Sequence, residues 1–165
     1  MIDFLVKKLG GLNYQLLLHL ISENRIEFVN TRLLGALGMT TYTKIYVDLD
    51  QLSGIPANIV YFIFLHEIYH YKRYQELGKK FHVDLFSSTN FSKFHSFVVE
   101  EERAADNYGR LKFREFNGID YPVEYTQMLD DPNKQKRYER NTRMLFGKVK
   151  NETDLDNLYN KFILN

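Results

Sequence analysis

The sequence contains no cysteine and no tryptophan, and only three of its 165 residues are proline. Without cysteine the chain can form neither a disulfide nor a thiolate metal site. A bound metal ion would therefore need His, Asp or Glu ligands. The lack of cysteine also agrees with a reducing compartment, and we expect a cytoplasmic protein.

Long apolar runs are missing as well. The longest, 59–65, is far shorter than the roughly 20 residues that a membrane-spanning helix needs. The N-terminus lacks the apolar middle and the small-residue cleavage site of a signal peptide. The net charge of +1 gives the whole chain no general attraction to nucleic acid or to an acidic membrane. We expect no membrane contact.

The apolar share of 44% and the charged share of 26% are typical of a folded globular protein. The length predicts one domain over 1–165. Alternation of polar and apolar residues over 43–50 predicts a strand, and helices are predicted over 56–77, ended by Gly78, over 96–116 and over 133–146. We expect an α+β fold in which a small, mostly antiparallel sheet packs on the first two helices.

One motif carries metal chemistry, the stretch His66-Glu67-Ile68-Tyr69-His70 inside the first of these helices. Two histidines four residues apart project from the same face of a helix and can bind one metal ion. Glu67 then lies beside the metal and can accept a proton from a water held there. The structural alternative is a buried helix that carries two histidines by chance.

A third ligand is expected downstream, where Glu102 and Asp106 stand four apart on the second helix. Glu102 can reach the metal while Asp106 turns to a histidine ring, which fixes the orientation of that ring. Glu101 and Glu100 are competing ligands, although Asp106 is off the face of Glu101. The small residues Ala104, Ala105 and Gly109 would let the two helices approach closely.

Together the two motifs resemble the gluzincin zinc metallopeptidases, in which HExxH is completed by a glutamate on a later helix. Size and layout are most similar to the small ImmA/IrrE-like peptidases, although Tyr69 stands where many of them carry a small residue. The resemblance implies a zincin-like fold and Zn²⁺ bound by His66, His70 and Glu102. It also implies Glu67 as general base, Asp106 as support for a ligand, and a protein or peptide substrate, often a regulatory protein.

Two further features of a peptidase are expected. The strand over 43–50 would be a sheet edge that pairs with an extended peptide substrate. A donor to the tetrahedral intermediate is also needed, and the candidates are His95, Tyr108, His82 and Tyr121. The stretch 79–95 has no clear period and is predicted to be a long loop.

Two other functions remain open. A protein with the same metal site and no catalysis could bind a partner through the cleft, although such a site would not need Glu67. The basic segment 134–150 could contact phosphates, but a solvated helix face is the more common meaning of such a pattern. We therefore expect no nucleic-acid partner.

Overall fold

The computed structural model describes residues 1–34, 36–121, 133, 136, 139–140, 142–143 and 146–164. Within them the protein is α+β. The helices are α1 (Ile2–Lys8), α2 (Tyr14–Glu23), α3 (Leu49–Ser53), α4 (Ala57–Phe86), α5 (Phe91–Asn117) and α6 (Glu152–Asn160). The strands are β1 (Glu27–Asn30), β2 (Arg32–Leu33), β3 (Gly38–Thr40), β4 (Lys44–Val47) and β5 (Ile163–Leu164).

The larger sheet has three strands in the order β1-β4-β3 and is mixed. Strand β4 is parallel to β1, with Phe28 opposite Ile45, and antiparallel to β3, with Met39 opposite Tyr46. The prediction of a mostly antiparallel sheet is therefore wrong for this sheet. Within the β3–β4 hairpin, β4 is the strand that pairs with β1, and β4 and β1 run in the same direction.

The central position of β4 also corrects the prediction of its role. Both of its edges are occupied by neighbouring strands, so it has no free edge to offer an extended peptide. Its Ile45 and Val47 side chains are fully buried, as the alternation in the sequence predicts. Strand β3 lies at the edge of the sheet instead.

Helix α4 is longer than predicted and has a break where the sequence places its end. Gly78 has φ 78° and ψ 158°, which is not helical, yet the chain turns helical again and continues to Phe86. Val83 and Phe86 in this second part pack into a small apolar cluster. The helical stretch after Gly78 is short, so its sequence shows no clear helical period of apolar residues. Its conformation is decided by packing against the rest of the protein.

The long loop predicted over 79–95 is therefore wrong. Helix α5 begins at Phe91, and the Asn90 side chain caps it by accepting a hydrogen bond of 3.0 Å from the Lys93 N–H. The helix predicted over 133–146 lies largely outside the described residues. Its described positions 133, 136, 139–140 and 142–143 are helical.

The apolar core is divided into two clusters. The main one joins α1, α2, the three-stranded sheet and the first part of α4, with Phe28 and Phe64 rings 5.0 Å apart. The smaller one joins the second part of α4 to α6 through Leu155 and Leu158. Among the described residues, no helix is long and apolar enough to span a membrane.

Candidate metal centre

The two histidines of the motif stand one turn apart on the same face of α4. Their rings are 4.8 Å apart, and their Nε2 atoms are 3.1 Å apart. Both rings are largely shielded from solvent, since the side chain of His66 is 17% exposed and that of His70 is 10% exposed. The helical period alone brings these two nitrogens together.

Helix α5 brings a carboxylate to the same point. Glu102 oxygens lie 3.4 Å from His66 Nε2 and 3.5 Å from His70 Nε2. On the far side of the His66 ring, Asp106 Oδ1 lies 2.9 Å from Nδ1. Asp106 therefore accepts a hydrogen bond from Nδ1–H, and Nε2 is left facing Glu102 and His70.

The spacing of His66, His70 and Glu102 is close to the spacing of ligands in a tetrahedral metal site. Ligand atoms of a tetrahedral site with bonds of about 2.0–2.2 Å lie roughly 3.3–3.6 Å apart. Here the two Nε2 atoms are 3.1 Å apart, Glu102 Oε2 lies 3.4 Å from His66 Nε2, and Glu102 Oε1 lies 3.5 Å from His70 Nε2. One ligand atom from each of the three residues lies within 4.8 Å of the other two. Two imidazole nitrogens and a carboxylate in this arrangement could hold a metal ion.

The electrostatics of the site favour a positive charge at its centre. Burial acts to lower the pKa of His66, but its bonds to Asp106 and Glu102 outweigh burial and raise the pKa to about 10. Burial acts to raise the pKa of Glu102, but His70 and His66 hold it well below its usual range. A bound cation would be stabilised by the same carboxylates that otherwise keep a second proton on His66.

The competing carboxylates are directed elsewhere. Both Glu101 oxygens lie 3.3 Å from Nε of Arg73, and Glu100 is exposed. Helix α5 thus presents Glu102 and Asp106, but not Glu101, to the histidines. The alternative ligands considered from the sequence lie off this face.

Small residues permit the close approach of the two helices. Ala105 and Gly109 are buried, and a Cβ at Gly109 would lie only 2.7 Å from the ring of Phe62 on α4. A larger residue there would force the ring to move, and with it the spacing of α4 and α5. This packing agrees with the role expected for Gly109.

Glu67 is buried on the side of α4 that faces β3, being 8% exposed. The Thr40 hydroxyl lies 2.6 Å from Glu67 Oε2, and Gly38 lies against the same side chain. The sequence predicts a role for neither Thr40 nor Gly38. Nothing in the local sequence marks them, because they reach Glu67 only through the placement of β3 beside α4.

The four candidate donors occupy different places. Tyr121 lines the cavity at the metal residues and stacks on Phe62, with ring centroids 4.4 Å apart. His95 bonds to Thr142 through Nδ1, His82 bonds to the Gly78 carbonyl, and Tyr108 packs on Tyr69. Of the four, only Tyr121 is among the described residues that line this cavity.

The cavity has a volume of about 860 Å³ and extends well beyond the metal residues. Tyr74, one turn after His70, and Tyr159 on α6 also line it, and the sequence predicts a role for neither. Most of the remaining lining is apolar and comes from β3, α4, α5, α6 and the residues just after α6. It includes Met39, Ile63, Phe86, Phe94, Val98, Leu158 and Phe162.

Part of the basic segment over 134–150 is described. Arg143 donates to Glu139 at 2.9 Å and its guanidinium carbon lies 3.9 Å from the centre of the Phe91 ring. Lys136, Lys148 and Lys150 are exposed. Arg143 is therefore engaged within the protein, whereas the exposed lysines agree with a solvated face.

Comparison with known proteins identifies no relative: no protein-family model matches the chain, and no curated protein or solved structure gives a significant match.

Proposed function

We propose that the protein is a zinc-dependent endopeptidase, with the metal held by His66, His70 and Glu102. The proposal rests chiefly on one observation: His66 Nε2 and His70 Nε2 are 3.1 Å apart, and Glu102 places Oε2 3.4 Å from the first and Oε1 3.5 Å from the second. Glu67, the residue after His66, is buried and lines the same cavity. A site that only stabilised the fold would have no use for Glu67 at this position. Zinc when bound supplies a water of lowered pKa and polarises a carbonyl group.

The protein's own side chains perform the remaining steps. Glu67 accepts a proton from the attacking water and passes it to the leaving amine. Asp106 keeps the Nδ1 proton of His66, so that Nε2 stays available as a ligand. Together these roles amount to hydrolysis of a peptide bond with Glu67 as general base.

The substrate is a protein or peptide in extended form, and a regulatory protein is the class that the family resemblance suggests. Strand β3 supports this because it is an edge strand whose residues Gly38, Met39 and Thr40 line the cavity together with His66. An extended peptide can add to such an edge. The apolar cavity lining favours a segment with large apolar side chains next to the cleaved bond.

Metal analysis and hydrolysis of fluorescein-labelled β-casein test the proposal. We expect Glu67→Gln to retain zinc and to lose hydrolysis by about 10²- to 10⁴-fold, because only the base is removed. His66→Ala and Glu102→Ala should lose the zinc itself. Glu101→Gln is the matched control and should retain both properties, since Glu101 bonds to Arg73.

Two results would contradict the assignment. Full zinc retention in both His66→Ala and Glu102→Ala would exclude these residues as ligands. Equal hydrolysis by wild type and Glu67→Gln, with zinc bound, would exclude Glu67 as the base.

A further inference from the structure

The Glu67 carboxylate rests on strand β3, which is remote from it in the sequence. Thr40 Oγ1 lies 2.6 Å from Glu67 Oε2 and 3.1 Å from the Glu67 backbone carbonyl. The Thr40 hydroxyl donates to Oε2. Thr40 is 5% exposed and Glu67 is 8% exposed, so water has little access to this bond. One hydroxyl thus fixes the end of the Glu67 side chain against its own helix.

Gly38 restricts the same side chain by contact. A Cβ built at Gly38 would lie 2.8 Å from Glu67 Cγ and 2.8 Å from Oε1. Such a distance is far inside ordinary packing, so any side chain at position 38 would displace the glutamate. The carboxylate therefore lies directly on the β3 backbone, with Thr40 bound to one oxygen and Gly38 beside the other.

We propose that Thr40 and Gly38 are positioning residues for Glu67. The inference depends on the proposed function, in which Glu67 is the general base. With Oε2 held by Thr40, Oε1 is the oxygen that accepts the proton from water, and Gly38 provides the space in which it lies. Since β3 is also the edge strand of the cavity, the strand expected to hold the substrate also orients the base.

The position of Glu67 can be measured without hydrolysis, by the ¹³Cδ resonances of zinc-loaded protein labelled in glutamate. The Glu67 signal is assigned by its loss in Glu67→Gln. We expect Thr40→Val to shift this signal and Thr40→Ser to keep it at the wild-type position, because serine restores the hydroxyl. Gly38→Ala should also shift it, and this variant decides the question if Thr40→Val does not fold.

Thr41→Val is the matched control. Thr41 is a neighbouring threonine of similar burial, and its hydroxyl bonds to the Lys44 backbone rather than to Glu67. This variant should leave the Glu67 signal in place. An unmoved Glu67 signal in folded Thr40→Val or Gly38→Ala would overturn the positioning role.

Hydrolysis of labelled β-casein adds a kinetic measurement. A displaced base should lower kcat of Thr40→Val on the order of tenfold to a hundredfold, with KM nearly unchanged because Thr40 acts through Glu67. Thr40→Ser should recover most of kcat. A loss confined to KM would contradict the inference. Wild-type protein without hydrolysis would contradict the proposed function instead, and the ¹³C signal would still decide the role of Thr40.

Discussion

Asp106 determines both the tautomer and the charge of His66. Its oxygen is 2.9 Å from Nδ1, so the Nδ1 proton stays on the ring and Nε2 is left for a metal or for a second proton. Together with Glu102, Asp106 raises the pKa of His66 to about 10 against the effect of burial. In the absence of metal, His66 is therefore protonated at neutral pH.

A pH dependence of stability follows at the residue scale. The folded protein holds the His66 proton more tightly than the unfolded chain, whose pKa is near 6.5. Metal-free protein should therefore lose stability as the pH rises from about 6.5 to about 10. Urea unfolding of chelator-treated protein at several pH values in this window measures the effect.

Asp106→Asn tests the cause. It removes a carboxylate that raises the pKa, so the loss of stability across the same window should be smaller than in wild type. Asp3→Asn changes an exposed aspartate of α1 and should leave the wild-type dependence intact. An equal loss in Asp106→Asn and wild type would show that Asp106 does not set the charge of His66.

At the scale of elements, the break at Gly78 divides α4 into two parts that make different contacts. The part before Gly78 carries the metal residues and packs in the main core. The part after it packs on α6. At Gly78 the backbone has φ 78° and ψ 158°, a region that only glycine adopts without strain. The break is thus determined locally, by one residue.

Gly78→Ala should destabilise the protein by about 1–3 kcal/mol, because alanine is strained in this conformation. Gly54→Ala is a suitable control, since Gly54 has right-handed φ and ψ and a Cβ there would make an ordinary contact of 3.8 Å. Thermal and urea unfolding measure both variants. Equal stability of the two would mean that the chain bends at position 78 without any need for glycine.

At the scale of the whole molecule, the last described strand pairs with a strand that follows α1, α2 and β1. Strand β5 pairs with β2, so that Ile163 lies opposite Leu33. Lys79 on α4 lies 2.9 Å from Asp156 on α6. Helix α6 thereby forms one wall of the cavity while lying far from His66 in sequence. Stability and cavity shape therefore both depend on the β2–β5 pairing and on the contact between α4 and α6.

Leu155→Ala should destabilise the protein by about 2–5 kcal/mol, since Leu155 is fully buried in the smaller cluster. The proposed metal ligands lie on α4 and α5, so the folded variant should still bind zinc. Leu111→Ala removes the same atoms from a side chain that is 69% exposed and should change stability by only about 0.5 kcal/mol. Similar effects of the two substitutions would contradict the assigned role of α6.

The sequence by itself determined the local geometry of the site. Four-residue spacing puts His66 beside His70, and Glu102 on one face with Asp106, because an α-helix repeats every 3.6 residues. It also indicated the α+β class and a helix end at Gly78, where the structure has a break within α4 instead, since these depend on local pattern and local backbone freedom. The meeting of α4 and α5 at the site was inferred from the need of a metal site for a third ligand, and not from any periodic pattern in the sequence.

Only the tertiary structure decided which elements meet. The central place of β4, the helical conformation of 79–86 and the contact of Thr40 and Gly38 with Glu67 all depend on contacts between residues distant in sequence. A local pattern cannot encode such contacts, because the same alternation suits an edge strand and a central one alike. The sequence therefore specified the residues of the candidate metal centre, and the packing of β3 against α4 decided how Glu67 is held there.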